Sequence, residues 1–184
     1  MENSTNGNKV ILGLDLDGVL YDWHDACYVY HQYELDYGGT YRQFWTEYFP
    51  SLTQERRNYL VSIDTLYDTK VPTQSVMDFL EFCERSSDAV YYLTSRSKDL
   101  ERITRRYLSR NNFPSQDNLV MTTDKASACR LFGVTHFLDD FTQQVESVSK
   151  VTNAYLMAKL WNKDAQHRLP TVHTLEEFRN VVFA

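Results

Sequence analysis

Apolar residues fall along this chain in two alternating patterns. Residues 9–15 (KVILGLD) are aliphatic and β-branched and end in acid, the mark of a buried strand. Residues 89–95 (AVYYLTS), 118–124 (NLVMTTD), 135–140 (THFLDD) and 153–158 (NAYLMA) repeat it. Between these runs the spacing turns helical. Val76, Phe79, Leu80 and Cys83 fall at i, i+3, i+4 and i+7 and predict a helix over 74–85. Leu100, Ile103 and Tyr107 form a stripe over 98–112, and shorter helices are expected over 126–132 and 141–148. Thr174 and Glu177 have capping-box spacing and open a last helix that turns Leu175, Phe178 and Val182 inward. Near-continuous apolar strands alternating with helices predict an α/β fold: a three-layer, Rossmann-like parallel sheet with both faces covered.

One stretch breaks the alternation. Residues 20–72 hold no buried-strand run and are rich in Tyr, Phe and Trp. They read as a small helical cap inserted after the first strand, over the carboxyl ends of the strands, where open α/β sheets bind ligands. The core is then 9–19 and 73–184. Residues 1–8, polar apart from Met1, read as a disordered tail. Ser51-x-x-Gln54 marks the start of a helix within the cap.

Composition narrows the class. Of 184 residues, 42% are hydrophobic and 24% charged, which excludes a mainly disordered chain, a coiled coil and a collagen-like repeat. The formal charge of −6 speaks against a polynucleotide partner, which is gripped by a basic excess. No apolar run nears the ~18 residues of a membrane span, so no membrane partner is expected. Cys27, Cys83 and Cys129 are odd in number and form no CxxC pair. They read as reduced thiols of a cytoplasmic protein, not as zinc ligands or nucleophiles.

The chemistry is concentrated where strands end. The first ends in Asp15-Leu16-Asp17-Gly18, which puts two carboxylates on one side of the chain beside a glycine free to turn. Two acids this close need a cation, a shared proton or a hydrogen-bond cage. The second strand ends in Thr94-Ser95, the third leads to Lys125, and the fourth ends in Asp139-Asp140. Singly, each has a plainer reading: a turn, a cap by Ser95 or Ser97, a solvated lysine, a capping acid. Jointly they converge, because the carboxyl ends of successive strands meet at one crevice. Carboxylates, hydroxyls and one ammonium together suit a hard cation such as Mg²⁺ and a phosphate.

In this order and on these strands, the motifs resemble those of the haloacid dehalogenase (HAD) superfamily. DLDGVLYDW (15–23), FWTEYF (44–49), YLTS (92–95), VMTTDK (120–125) and FLDD (137–140) are similar to segments of its 5′(3′)-deoxyribonucleotidase branch. The resemblance implies a phosphoric monoester hydrolase in which Asp15 is the nucleophile, Asp17 the general acid and then base, and Lys125 a charge-neutralising group. It implies that Thr94, Ser95 and Lys125 bind phosphate, and that Mg²⁺ is held by Asp15, the backbone carbonyl of Asp17, and Asp139 or Asp140. Trp23, Phe44 and Trp45 match positions that enclose the base and sugar of a nucleotide. Those aromatics could equally be the core of a helical cap. Arg96 stands where the family has a proline, and is read as binding substrate phosphate, as sealing the cap or as a solvated cation.

The substrate expected is a small phosphomonoester, a (deoxy)nucleoside monophosphate first, and the family resemblance makes a homodimer the expected assembly. The alternatives are the same core acting on another phosphomonoester, such as a sugar phosphate, an idle HAD-like binding domain, and a polynucleotide end phosphatase, against which the acidic charge and the large cap speak. Lys98, Arg102, Arg106 and Arg110 recur every four residues and read as a solvated basic face. His24, His31, His136, His167 and His173 lack metal-site spacing and default to surface or structural roles. Asp22 and Asp25 carry no assigned role.

Overall fold

A computed structural model describes residues 9–184; the tail expected over 1–8 lies outside them. Six strands, β1 (Ile11–Leu14), β2 (Ala89–Thr94), β3 (Leu119–Met121), β4 (His136–Asp139), β5 (Asn153–Met157) and β6 (Thr171–Val172), form one sheet. Their order is β3-β2-β1-β4-β5-β6, and every pairing is parallel. β6, only two residues long, carries too little pattern to be seen in the sequence.

Side chains alternate between the faces of a strand, and this sorts the core into two layers. Leu12, Leu14, Tyr92 and Leu138 pack with Val76, Phe79, Ile103, Tyr107 and Phe178 on one face. Ile11, Leu93, Phe137 and Leu156 pack with Ala128, Cys129, Val145 and Val148 on the other. The helices bringing these residues, Gln74–Ser86, Glu101–Arg110, Lys125–Phe132, Thr142–Val148 and Leu175–Val182, stand where periodicity puts them. Thr174 accepts a hydrogen bond from the Glu177 N–H, but Glu177 Oε2 reaches the N–H of His173, not that of Thr174. All three cysteines are buried and free, and burial pushes each thiol up to about 12.

Helices alone bridge the gap between β1 and Gln74. Trp23–Glu34 is capped by Asp22, whose side chain accepts from the Asp25 N–H. A π-helical turn, Phe44–Tyr48, widens the backbone and lets the neighbours Phe44 and Trp45 both turn inward. Gln54–Ser62 is capped by Thr53. Ser51, the expected cap, instead donates its hydroxyl to the Tyr48 carbonyl. The reciprocal capping box of this region is Thr40 with Gln43.

The helical segment is tied to the sheet at its return. Asp68, nearly buried, pairs with Arg106 at 2.6 Å and Arg110 at 2.8 Å. The basic face is exposed at all four positions, as expected, and Arg106 and Arg110 also hold the cap from it. Tyr21 Oη donates to the Leu66 carbonyl at 2.5 Å, and Lys70 pairs with Asp25. Among the described residues no helix is long and apolar enough to cross a membrane.

Candidate active site

The parallel register brings Leu14 of β1 beside Leu138 of β4, and the Asp15 N–H extends the pairing to the Leu138 carbonyl at 2.9 Å. Asp15 and the Asp139-Asp140 pair thus leave adjacent strands side by side. The chain then turns sharply: Leu20 and Tyr21 N–H groups both return to the Leu16 carbonyl, and Gly18 N–H to the Tyr21 carbonyl. Gly18 has φ +84°, and a Cβ there would lie 2.2 Å from Asp140 Oδ2. Glycine is required both for the turn and for the approach of that carboxylate.

Asp15, Asp139 and Asp140 are buried, with one oxygen of each lying within 4.8 Å of the others. Lys125 opens helix Lys125–Phe132 and is itself buried, against the solvated alternative. Its Nζ donates to Asp15 Oδ1 at 2.5 Å and Asp139 Oδ2 at 2.7 Å. Burial works against the ammonium, but Asp15 and Asp139 outweigh it and hold Lys125 protonated above the ordinary lysine range. Burial pushes Asp15 up, Lys125 pulls it back, and repulsion from Asp139, Asp140 and Asp17 adds to the rise. Burial and then repulsion from Asp139 push Asp140 up to about 8. Were all three carboxyl groups ionised they would outnumber the one ammonium, and the upward push on Asp15 and Asp140 reflects burial together with that repulsion. The donors are all oxygens, so the residues fit a hard divalent cation such as Mg²⁺.

Asp17 stands apart from that group. Its carboxylate is turned to Arg96, whose Nε reaches Oδ2 at 2.8 Å and Nη2 reaches Oδ1 at 2.6 Å. Arg96 is buried and committed to this pair rather than aimed at a ligand, a correction to its assignment as a substrate contact. Ser95 is exposed and lines the cavity. Thr94 lies beneath, fully buried, and its hydroxyl accepts from the Arg96 N–H at 3.2 Å. It shapes the turn that presents Ser95 and Arg96. Ser97 caps the following turn through the Asp99 N–H.

Above these groups is a cavity of about 1100 Å³. Trp23, Trp45 and Tyr67 line it from the helical segment, and Trp161 and Phe141 from the sheet side. Phe44 does not. It is fully buried among Tyr28, His31, Tyr37 and Tyr48, at ring separations of 4.7 to 5.7 Å. The substrate-contact assignment of Phe44 is corrected to that of a cap-core residue, because its side of the π turn faces inward.

Three site residues escape sequence reasoning. His24 stacks on Trp161 with ring centroids 3.6 Å apart and lies 4.0 Å from Asp140 Oδ2. Burial, then the charge of Lys159, lowers His24 to about 3, so the imidazole is neutral. Trp161 donates its indole N–H to Asp140 Oδ2 at 2.9 Å. Asn162 donates to the carbonyls of Asp140 and Met157, both at 2.8 Å. Trp161 and Asn162 lie beyond the last motif, and only their place just after β5 hinted at them.

The α/β fold thus carries an acid cluster, a buried lysine and an aromatic-walled cavity together at the carboxyl edge of its parallel sheet. No protein-family model matches the sequence, and no curated protein matches it. Solved structures share the fold. A haloacid dehalogenase-like hydrolase from Streptococcus pneumoniae is similar at TM-score 0.63 and 16% identity, over 94% of this chain and 98% of its own. A HAD-superfamily hydrolase of subfamily IA from Geobacter sulfurreducens is similar at TM-score 0.56 and 15% identity, over 97% and 99%. A β-phosphoglucomutase from Clostridium difficile is similar at TM-score 0.55 and 11% identity, over 94% and 95%. The architecture of this chain is thus the HAD-like α/β fold, with HAD-superfamily hydrolases as its structural neighbours.

Proposed function

We propose that this protein is a Mg²⁺-dependent phosphomonoesterase that hydrolyses (deoxy)nucleoside monophosphates through an aspartyl-phosphate on Asp15. The observation that carries the reading is the floor of the cavity: Lys125 bridges Asp15 and Asp139, with Asp140 beside them. Carboxylates of Asp15, Asp139 and Asp140 would hold the ion, with the Asp17 carbonyl as a further oxygen. When bound, Mg²⁺ supplies relief of the repulsion between carboxylate and phosphate.

The rest belongs to the chain's own residues. Asp15 attacks phosphorus and splits one difficult hydrolysis into two steps. Asp17 gives a proton to the departing ester oxygen, then takes one from the water that cleaves the acyl phosphate. Lys125 holds its proton and stabilises charge on Asp15 and the transferring group. Ser95 donates its hydroxyl to a phosphate oxygen. Trp23, Trp45 and Tyr67 offer flat apolar faces, which support a nucleobase, since base stacking on an aromatic is worth ~1–3 kcal/mol.

A sugar phosphate is the second reading, supported by the fold shared with a phosphoglucomutase. Phosphate release from a panel of deoxy- and ribonucleoside monophosphates, sugar phosphates and an aryl phosphate decides. Each is run with Mg²⁺ and with EDTA, beside Asp15→Asn. Metal-dependent release greatest for a nucleotide is expected. Release greatest for a sugar phosphate replaces the substrate, and release equal in Asp15→Asn removes the mechanism.

A further inference from the structure

Resting on that reading, we infer that Arg96 is the positioning residue for Asp17, fixing the acid/base carboxylate through a two-pronged hydrogen bond. Asp17 lies in the turn after β1 and Arg96 in the turn after β2, 79 positions apart in the chain. Their side chains meet at 2.8 and 2.6 Å, the fork geometry that only arginine provides.

The guanidinium has no freedom to do otherwise. Its third nitrogen, Nη1, donates to Thr104 Oγ1 at 3.0 Å. Its plane lies against the rings of Tyr67, at 4.6 Å, and Tyr21, at 5.2 Å. Each guanidinium nitrogen thus has an acceptor within the protein, three of the five N–H donors are used, and the side chain is fully buried. Asp17 retains partial access to the cavity, at 24% side-chain exposure, whereas Arg96 has none. Tyr67 is also the ring stacked on Trp23, so the fork rests against the same wall that would meet the substrate's organic part.

The role concerns proton transfer in both steps. In the first, Asp17, whose two oxygens accept from the fork as a carboxylate, takes a proton from solvent and passes it to the ester oxygen as the P–O bond breaks. In the second, water returns a proton to Asp17 as its oxygen bonds to phosphorus and the Asp15–phosphate bond breaks. Each transfer needs the carboxylate held within hydrogen-bond reach, and an exposed aspartate without the fork samples several rotamers.

The experiment is a double-mutant cycle of Arg96→Met and Asp17→Asn, measured on the best substrate of the panel. Arg96→Met is expected to lower kcat by about 10- to 100-fold with KM changed less than about threefold. In the Asp17→Asn background the same change is expected to cost less than about twofold, since the group it positions is gone. Arg96→Lys, which keeps the charge without the fork, restores only part of kcat, and it completes the cycle if Arg96→Met does not fold. Losses that multiply across the cycle, or that fall on KM, overturn the assignment in favour of direct phosphate binding. A wild-type chain that releases no phosphate overturns the phosphatase reading beneath it, and the inference with it.

Discussion

Lys125 donates to Asp15 at 2.5 Å from a position only 2% exposed. That pair makes the floor of the cavity a single electrostatic unit, since the same ammonium also holds Asp139. Lys125→Met removes the one cation among three buried acids. We expect a loss of about 3–5 kcal/mol in stability, because breaking a buried pair leaves charge uncompensated, and turnover reduced ~10²-fold or more. Urea unfolding and phosphate release measure the two. A variant as stable as the parent would mean that Lys125 does not hold the acids together.

Trp161 acts on the acid cluster from outside it. Trp161→Phe keeps a ring against His24 but removes the N–H that Asp140 Oδ2 accepts. The Mg²⁺ concentration for half-maximal activity should rise about tenfold, the usual cost of losing a hydrogen bond to a metal-holding carboxylate. An unchanged Mg²⁺ titration would place Asp140 outside the metal site.

Gly18→Ala introduces a methyl group into the space of Asp140 Oδ2 at a φ of +84°. Strain of about 1–3 kcal/mol is expected, together with a displaced Asp140 and weakened Mg²⁺ activation. Thermal unfolding and a Mg²⁺ titration read both.

Phe44 and Trp45, adjacent in sequence, should part company on substitution. Phe44→Ala opens a hole in the cap core and should cost about 3–5 kcal/mol with little preference among substrates. Trp45→Ala and Trp23→Ala, at the cavity wall, should instead raise KM for nucleotides by about tenfold while sparing an aryl phosphate. Equal losses on both substrates would remove the stacking role.

His31 predicts how acid acts on the cap. Burial lowers its pKa below the ordinary 6.5, although the Cys27 carbonyl favours the charged ring. The unfolded chain therefore binds a proton that the folded one resists, and stability falls as pH drops below about 6.5. Unfolding temperatures at pH 7.5 and 5.5 should fall further for the parent than for His31→Gln.

What the sequence disclosed follows from how strongly each feature is patterned. Five strands and the core helices carry many apolar positions in register with a period, so β1 and helix Gln74–Ser86 were readable. Asp15, Lys125, Asp139 and Asp140 were readable jointly, because parallel strands deliver their ends to one place. The direction in which a single side chain points is not so encoded. Phe44 and Trp45 differ by one position in a π turn that no periodicity foretells. The partner of Arg96 lies 79 residues away across a sheet register. Ser51 and Thr53 offer the same hydroxyl chemistry, and packing alone selects the cap.

The pairs from Asp68 to Arg106 and Arg110 have one further consequence. Both arginines are about half exposed while Asp68 is nearly buried, so dissolved ions reach the cationic side of each pair and weaken the attraction in part. The return of the helical segment to the sheet is thus fastened by a tether whose tension the surrounding electrolyte sets in part. Concentrated salt loosens that tether more than it loosens the buried pairs that Lys125 makes with Asp15 and Asp139.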